Sequence, residues 1–491
     1  MELCQNQVTR AEATRRLPSC PVIIQGGMGV GVSSWRLARV VSRLGQLGVV
    51  SGTALDVVLA RRLQLGDPEG SLRRALAQFP SSAAASRVLA QYFLPGGKSH
   101  EQPFRGVPMF TVSPTIAQQE LAAISGFAEV WLAKEHHAGL VGINFLEKIQ
   151  LPFLPTLYGA LLAGVDYVLV GAGIPREIPG VLDQLARHEP VSIRLHVEGA
   201  DGDDEYRLHF DPRLVLPADR PTLQRPKFLA IIASSTLALA LAKKATGRVD
   251  GFVIEGPTAG GHNAPPRGEA QLNERGEPVY GERDVVDLEK IRALGLPFWL
   301  AGSYGHPERL RAARAVGAAG VQVGTAFAFC EESGLAPELK AAVLEWVQRG
   351  QADVFTDPLA SASGFPFKVV SVERTLSEVE VYAHRPRLCD LGYLRHVYKR
   401  PDGSLGYRCP AEPVELYMKK GGAAEETIGR KCLCNGLLAT IGLAQRQRTG
   451  YLEPPLVTAG DEVKRLAHFL HDGKTSYTAQ EVIQYLLMER S

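Results

Sequence analysis

The chain has 491 residues, with 54 Lys and Arg against 52 Asp and Glu, a formal net charge of +2, and 45% hydrophobic residues. That length allows a large buried core arranged as two or three domains or as one decorated barrel, and the near-neutral balance offers no basic stripe for nucleic acid. The polar start, Met1 to Arg16, carries no apolar secretory core. The longest apolar helix-like run, Phe228 to Ala242, is interrupted by Ser234, Ser235 and Thr236 and is too short for a membrane span. Seven cysteines without a short disulfide framework fit a reducing, cytoplasmic setting.

Strand-like apolar runs alternate with amphipathic helix-like stretches, which predicts βα units on a parallel sheet. In chain order the strands fall near Ile23, Val49, Gly142–Phe145, Tyr167–Val170, Phe228–Ile232, Gly251–Ile254, Phe298–Leu300 and Gly320–Val323. The helices between them run Trp35–Leu44, Leu154–Ala163, Pro179–Arg187, Thr236–Thr246 and Pro307–Val316. The fold class is therefore α/β, a (β/α)8 TIM barrel carrying long inserts and an added C-terminal subdomain. The barrel spans 1–375, with an insert at about 55–135 of two or three helices and a strand at Met109–Val112. A second insert, 191–212, alternates as a hairpin around a polar turn. Residues 263–284 read as a polar loop, a lid beside the stretch before it. The remainder, 376–491, reads as a helical and irregular subdomain that covers the barrel or mediates self-association as a homodimer.

Four strand ends break into small residues. Gly26, Gly27 and Met28 follow the first strand, and Ser33 reads as the cap of the next helix. Asn144 ends the third strand. The stretch Glu255-Gly256-Pro257-Thr258-Ala259-Gly260-Gly261-His262 leaves the sixth, and its paired glycines let backbone approach a flat group. His262 then stands at a strand tip as a proton-transfer group; alternatively, it is an exposed turn histidine. Backbone amides after Gly302 and around Gly324 and Thr325 point at one anion, the usual phosphate position after the last two barrel strands. Ser234 reads as facing the same side, and Lys134-Glu135-His136-His137 reads as either a solvated loop or part of the pocket.

The Gln-Gly-Gly-Met of the first strand, Gly142-Ile143-Asn144-Phe145, Ala259-Gly260-Gly261-His262, Ala301-Gly302-Ser303 and Gln322-Val323-Gly324-Thr325 stand in the order found in nitronate monooxygenases, formerly 2-nitropropane dioxygenases. The chain resembles that family, which includes FMN-dependent enoyl reductases, over roughly residues 18 to 375. Gly350-Gln351-Ala352-Asp353 and Gly364-Phe365-Pro366-Phe367-Lys368-Val369-Val370 look closest to the reductase branch linked to polyunsaturated fatty-acid and polyketide synthases. The resemblance implies an FMN-binding barrel in which His262 is the catalytic base or acid. It places Gly26, Gly27, Met28, Asn144, Gly261, Gly302, Ser303, Gln322, Val323, Gly324 and Thr325 around the cofactor. Gly26-Gly27 stand where the family often has Ala-Pro, and Ser303-Tyr304 where many members have Gly-Ile.

Two reactions follow from that resemblance. One oxidises alkyl nitronates with O2. The other takes electrons from NAD(P)H and reduces an enoyl thioester, with an acyl carrier protein or synthase as partner. A non-flavin phosphate-binding barrel remains the third alternative. The partners are thus a small-molecule nitronate or thioester, with no nucleic acid and no membrane. Separately, Cys389, Cys409, Cys432 and Cys434 cluster near the C-terminus. They read either as a zinc or iron–sulfur ligand set or as buried free thiols.

Overall fold

The computed structural model describes residues 20–202, 204–216, 220–471 and 473–488; the Met1–Arg16 start lies outside them. Eight parallel strands form one sheet: β1 Ile23–Gln25, β2 Gly48–Ser51, β3 Val141–Leu146, β4 Tyr167–Gly171, β5 Lys227–Ile232, β6 Gly251–Glu255, β7 Phe298–Ala301 and β8 Gly320–Val323. Their order is β1-β8-β7-β6-β5-β4-β3-β2. A parallel bridge between Ile24 and Leu47 brings the two ends together, with Gln25 N donating to Leu47 O at 2.9 Å. The sheet is thus a closed TIM barrel, and it coincides with the eight strand runs read from the sequence.

Side chains alternate across each strand, so one set fills the barrel and the other meets the helices. Ile24, Val49, Leu169, Leu229, Val253 and Trp299 form the interior cluster, each fully buried. The Trp299 ring uses its one polar atom, donating Nε1–H to Pro21 O at 2.8 Å. The out-facing set, such as Val50, Ile143, Val168, Phe228, Phe252 and Val321, packs under helices Trp35–Arg43, Phe153–Leu162, Ile178–Ala186, Ser235–Lys244 and Pro307–Ala315. Each fully buried aliphatic or phenyl group contributes about 1.5–3 kcal/mol, so period-two patterning largely determines this layer.

The first insert differs from its expectation. Residues 55–135 hold four helices, Leu55–Gln64, Ser71–Ala77, Ser82–Tyr92 and Ile116–Lys134, and Met109–Val112 is not a strand. The Met109 carbonyl accepts from Gln118 Nε2 and Val112 N donates to Tyr407 Oη, so side chains replace ladder bonds there. The last helix serves as the barrel helix between β2 and β3. It lies hard against Phe153–Leu162, where a Cβ at Gly159 would stand 1.8 Å from Ala123 O. The second insert pairs as expected through Val191–Arg194 and Arg207–Phe210, antiparallel. Val197–Glu198 leaves that hairpin and joins His396–Lys399 in parallel, beside Leu405–Arg408.

The C-terminal segment wraps the barrel. The 3-10 stretch Asp461–Phe469 and helix Ala479–Leu486 bury Val463, Leu466, Val482 and Ile483 in the main core. A buried bidentate pair, Arg385 Nε to Glu453 Oε2 at 2.7 Å and Nη2 to Oε1 at 3.1 Å, holds the intervening chain. Among the described residues no helix is long and apolar enough to cross a membrane.

Candidate active site

At the C-terminal ends of the strands lies a cavity of about 230 Å³. Its wall takes residues from most of the strand ends and its roof from the C-terminal segment, including Tyr393, Leu394, Leu433, Leu437 and Thr458. All twelve site residues read from the sequence line it: Gly26, Gly27, Met28, Asn144, Gly261, His262, Gly302, Ser303, Gln322, Val323, Gly324 and Thr325.

The β1 end is shaped by one hydroxyl. Ser33 Oγ accepts from Met28 N at 2.8 Å and from Gln25 Nε2 at 2.8 Å, and donates to Gly26 O at 2.7 Å. The expected helix-capping role of Ser33 is therefore corrected: Ser34 takes the cap position, and Ser33 is consumed in fixing the Gly26–Met28 turn. Gly27 is required by contact, because a Cβ there would lie 2.2 Å from Asn144 Cβ.

The turn after β6 is stitched from both sides. Gly261 N donates to Thr458 Oγ1 at 3.0 Å, Lys368 N to Gly261 O at 3.0 Å, and Asn263 N to Pro366 O at 2.9 Å. Lys368 Nζ, itself buried, spans Thr356 Oγ1 and Asp461 Oδ1, both at 2.8 Å. Gly261 has φ +77°, and a Cβ there would meet nothing within 4 Å. His262 is half-buried, its ring edge-on to Phe367 at 4.8 Å, and Nε2 pairs with Ser361 Oγ at 2.7 Å. Burial pushes its pKa down to about 4, so the imidazole is neutral at neutral pH.

Sequence reasoning missed Glu255. Its carboxyl stands at the β6 end, on the wall of the same cavity, and burial raises its pKa to about 7. The signal was present, since an acidic residue directly follows the apolar run Gly251–Ile254. Glu462 was also missed. It lines the cavity from the Asp461–Phe469 stretch, accepts from Gly305 N at 2.7 Å, and burial raises its pKa to about 7.

At the β7 and β8 ends the backbone turns sharply, with Gly302 at φ +93° and Ser303 at φ +56°. The amides of Gly302, Ser303 and Gly324 donate no hydrogen bond among the described residues. Thr325 Oγ1 accepts from Gly460 N at 2.9 Å, fastening the C-terminal segment to this end. Gln322 Oε1 is buried without a partner among the described residues. Free amides at one end, an orphaned acceptor on the wall and glycines beside open space suit a ligand with an anionic group and a flat polar ring.

Other expectations resolve differently. Ser234 stands off the cavity but lines the groove that opens from it, and its hydroxyl caps the following helix, accepting from Leu237 N at 3.3 Å. Lys134 to His137 lie before β3, at the opposite barrel face. There Lys134 pairs with Asp166 at 2.6 Å, and Glu135, its pKa lowered by Arg74, pairs with Arg74 at 2.7 Å. The four clustered cysteines are free thiols, and among the described residues no group of His, Cys, Asp or Glu is placed to hold a metal ion. A groove of about 1350 Å³ opens from the cavity past Glu255 and His262. Ala264, Pro265 and Arg267, from the loop read as a lid, form part of its wall.

Residues 219–354 match the family model described as nitronate monooxygenase. The chain is 37% identical over 112 residues to a probable nitronate monooxygenase of Bacillus subtilis, covering 23% of this chain and 30% of the relative. It is 32% identical over 157 residues to a nitronate monooxygenase of Pseudomonas aeruginosa, covering 32% of this chain and 38% of the relative. These matches thus span about a third of each curated relative's length. A solved structure of FabK from Thermotoga maritima aligns with a TM-score of 0.46 at 16% identity, covering 95% of this chain and 91% of that one. The likeness to the nitronate monooxygenase family read from the ordered motifs is therefore shown, and residues 219–354, which carry the β6 glycine turn, His262 and the β7 and β8 strand ends, are where the family model matches.

Proposed function

We propose that this protein is an FMN-dependent oxidoreductase whose reaction takes place between the barrel mouth and His262. The observation that carries this reading is the convergence of free amides at Gly302, Ser303 and Gly324, an unpaired Gln322 Oε1 and the Gly261-His262 turn on one cavity. Those amides would hold the phosphate, and Gly26, Gly27, Asn144 and Gln322 would border the ring. Bound FMN supplies electron transfer; the chain supplies placement and protons.

His262 acts in its neutral form. With a pKa of about 4 it does not store a proton at pH 7. Its role is to hydrogen-bond and polarise a substrate oxygen, with the ring held by Ser361 and Phe367. Glu255 carries a proton in about half the molecules at neutral pH, because burial lifts its pKa to about 7, and standing beside His262 it is a group able to deliver one to a substrate carbon.

The curated relatives' names favour nitronate oxidation, the reading placed first from the sequence. The groove of about 1350 Å³ beyond His262 favours the second, reduction of an enoyl thioester by NAD(P)H, since a nitronate fills little of that space. We adopt the reductase reading on that ground. The experiment is an anaerobic spectral titration of the purified protein. Bleaching of the flavin band by NADPH and its return with an enoyl thioester support reduction. Bleaching by alkyl nitronate alone, with NADPH inert, overturns it in favour of nitronate oxidation.

A further inference from the structure

His262 is neutral at pH 7, and the two nitrogens of a neutral imidazole play opposite parts, one donating and the other accepting. Nε2 is taken by Ser361 Oγ at 2.7 Å. Nδ1 makes no hydrogen bond among the described residues, so it is the ring atom left to meet a ligand in the cavity and groove that this side chain lines. What His262 offers that ligand therefore depends on what Ser361 does with its single proton.

The Ser361 side chain is fully buried. Ser363 N donates to its Oγ at 3.1 Å, and Ser363 Oγ lies 2.8 Å from it. A hydroxyl accepts twice and donates once. When Ser363 gives both its N–H and its O–H to Ser361, both acceptor sites are filled and the Ser361 proton goes to His262 Nε2. Ser363 is free to do so: it is partly exposed on the groove wall, and its own oxygen accepts from Phe365 N at 3.4 Å. The opposite chain, from His262 Nε2–H to Ser361 to Ser363, would leave Nδ1 a bare acceptor.

The turn that carries Ser361 is anchored by segments remote in the sequence. Arg430 Nη1 donates to Ser361 O at 2.5 Å and to Leu359 O at 2.9 Å. His396 Nε2 donates to Ala362 O at 2.7 Å, while its Nδ1 meets Glu198 Oε1 at 2.5 Å. Asp357 Oδ1 accepts from Leu359 N at 2.9 Å and from Ala360 N at 3.0 Å. The 191–212 insert and the C-terminal segment thus both bear on the turn beside His262.

We propose that Ser361 is a positioning residue: its hydroxyl, its acceptor sites filled by Ser363, donates to His262 Nε2 and so fixes the imidazole proton on Nδ1, facing the ligand. In the reductase reading, on which this role rests, His262 must donate to a carbonyl oxygen, and of the two neutral forms the one protonated on Nδ1 does so. Arg430 and His396 give the C-terminal segment a part in the chemistry, because they hold the turn that sets the proton.

The test is the histidine ¹⁵N spectrum of the full-length purified protein at pH 7 without substrate, with the His262 signals assigned by their loss in His262→Ala. The expected result is a pyrrole-like Nδ1 and a pyridine-like Nε2. Ser361→Ala should lose this bias and give averaged signals, and should lower kcat about tenfold with KM little changed, as for one net hydrogen bond acting on the transition state. Ser363→Ala should keep the proton on Nδ1, because the Ser361 proton then has His262 as its remaining acceptor. A merely structural Ser361 would affect folding or flavin retention without moving a proton between ring nitrogens. The unmodified protein reports the tautomer directly, so a misfolded variant does not decide the matter. A protonated Nε2 in the unmodified protein overturns the proposal, as does an unchanged tautomer in folded Ser361→Ala. Because the spectrum is taken without substrate, the titration with NADPH and enoyl thioester judges the reductase reading separately.

Discussion

Glu255→Gln isolates the proton economy of the site. An ordinary glutamate at pKa 4.5 would hold a proton at pH 7 in about one molecule in 300, whereas burial at the β6 end lifts this one to about 7, so about half the molecules carry it. At ~1.36 kcal/mol per pKa unit the displacement amounts to about 3 kcal/mol. If protonated Glu255 supplies a substrate proton, kcat/KM of the wild type should fall about tenfold per pH unit above pH 7. His262, at about 4, adds no inflection in that window. The Gln variant should be slower and flat from pH 6 to 9. Stability provides a second readout. The folded pKa exceeds the unfolded value, so the folded state binds more protons, and stability declines as pH rises from about 4.5 to about 7, then levels off. Glu462 adds a decline of the same sign to both proteins, so the quantity to compare is wild type minus variant in urea denaturation at pH 5 and pH 8.5. The variant should gain up to about 3 kcal/mol relative to the wild type across that interval. An inflection near pH 7 that persists in the variant, together with superimposable stability curves, would rule out Glu255 as the proton donor.

His262→Ala should leave the flavin bound, because amides and glycines form the rest of the cradle, yet reduce turnover about 10²–10³-fold as for loss of one polarising hydrogen-bond donor; stopped-flow rates and the absorbance spectrum read the two effects separately. A phosphate near Glu462 penalises its carboxylate, so FMN binding should take up a proton between about pH 7 and 8 and weaken above that range; calorimetry in two buffers of different ionisation enthalpy should show a larger uptake in the wild type than in Glu462→Gln. Glu453→Ala leaves the Arg385 guanidinium buried and unpaired, and denaturation should show a loss of about 3–5 kcal/mol.

The barrel was legible because its strands are dense in β-branched and aromatic residues and its helices follow at regular spacing. Observed helices such as Phe153–Leu162 and Pro307–Ala315 fall within a residue of their expected ends. The cavity-lining positions were legible for a related reason: strand ends that break into glycine are local signals. What failed was non-local. Ser33 carries an ordinary cap signature, but its hydroxyl is claimed by Gln25 and Gly26 across the turn. Ser234 does lie on the expected side, lining the groove, but its hydroxyl is taken by the cap of its own helix. The Lys134–His137 cluster looked chemical, but its place before rather than after a strand puts it at the wrong end of the barrel. The strand pairing of Val197–Glu198 with His396–Lys399 joins segments far apart in the chain, and no local pattern encodes it. Glu462 reaches the cavity the same way, through a C-terminal stretch bonded to Thr258 and Thr325.

The most direct measurement is the flavin content of the purified, heat-denatured protein. Release of about one FMN per chain, with loss of retention when bulk is introduced at Gly324, is what the cavity predicts. A colourless protein that neither releases FMN nor takes it up from solution would contradict the account and leave a phosphate-binding barrel of another chemistry.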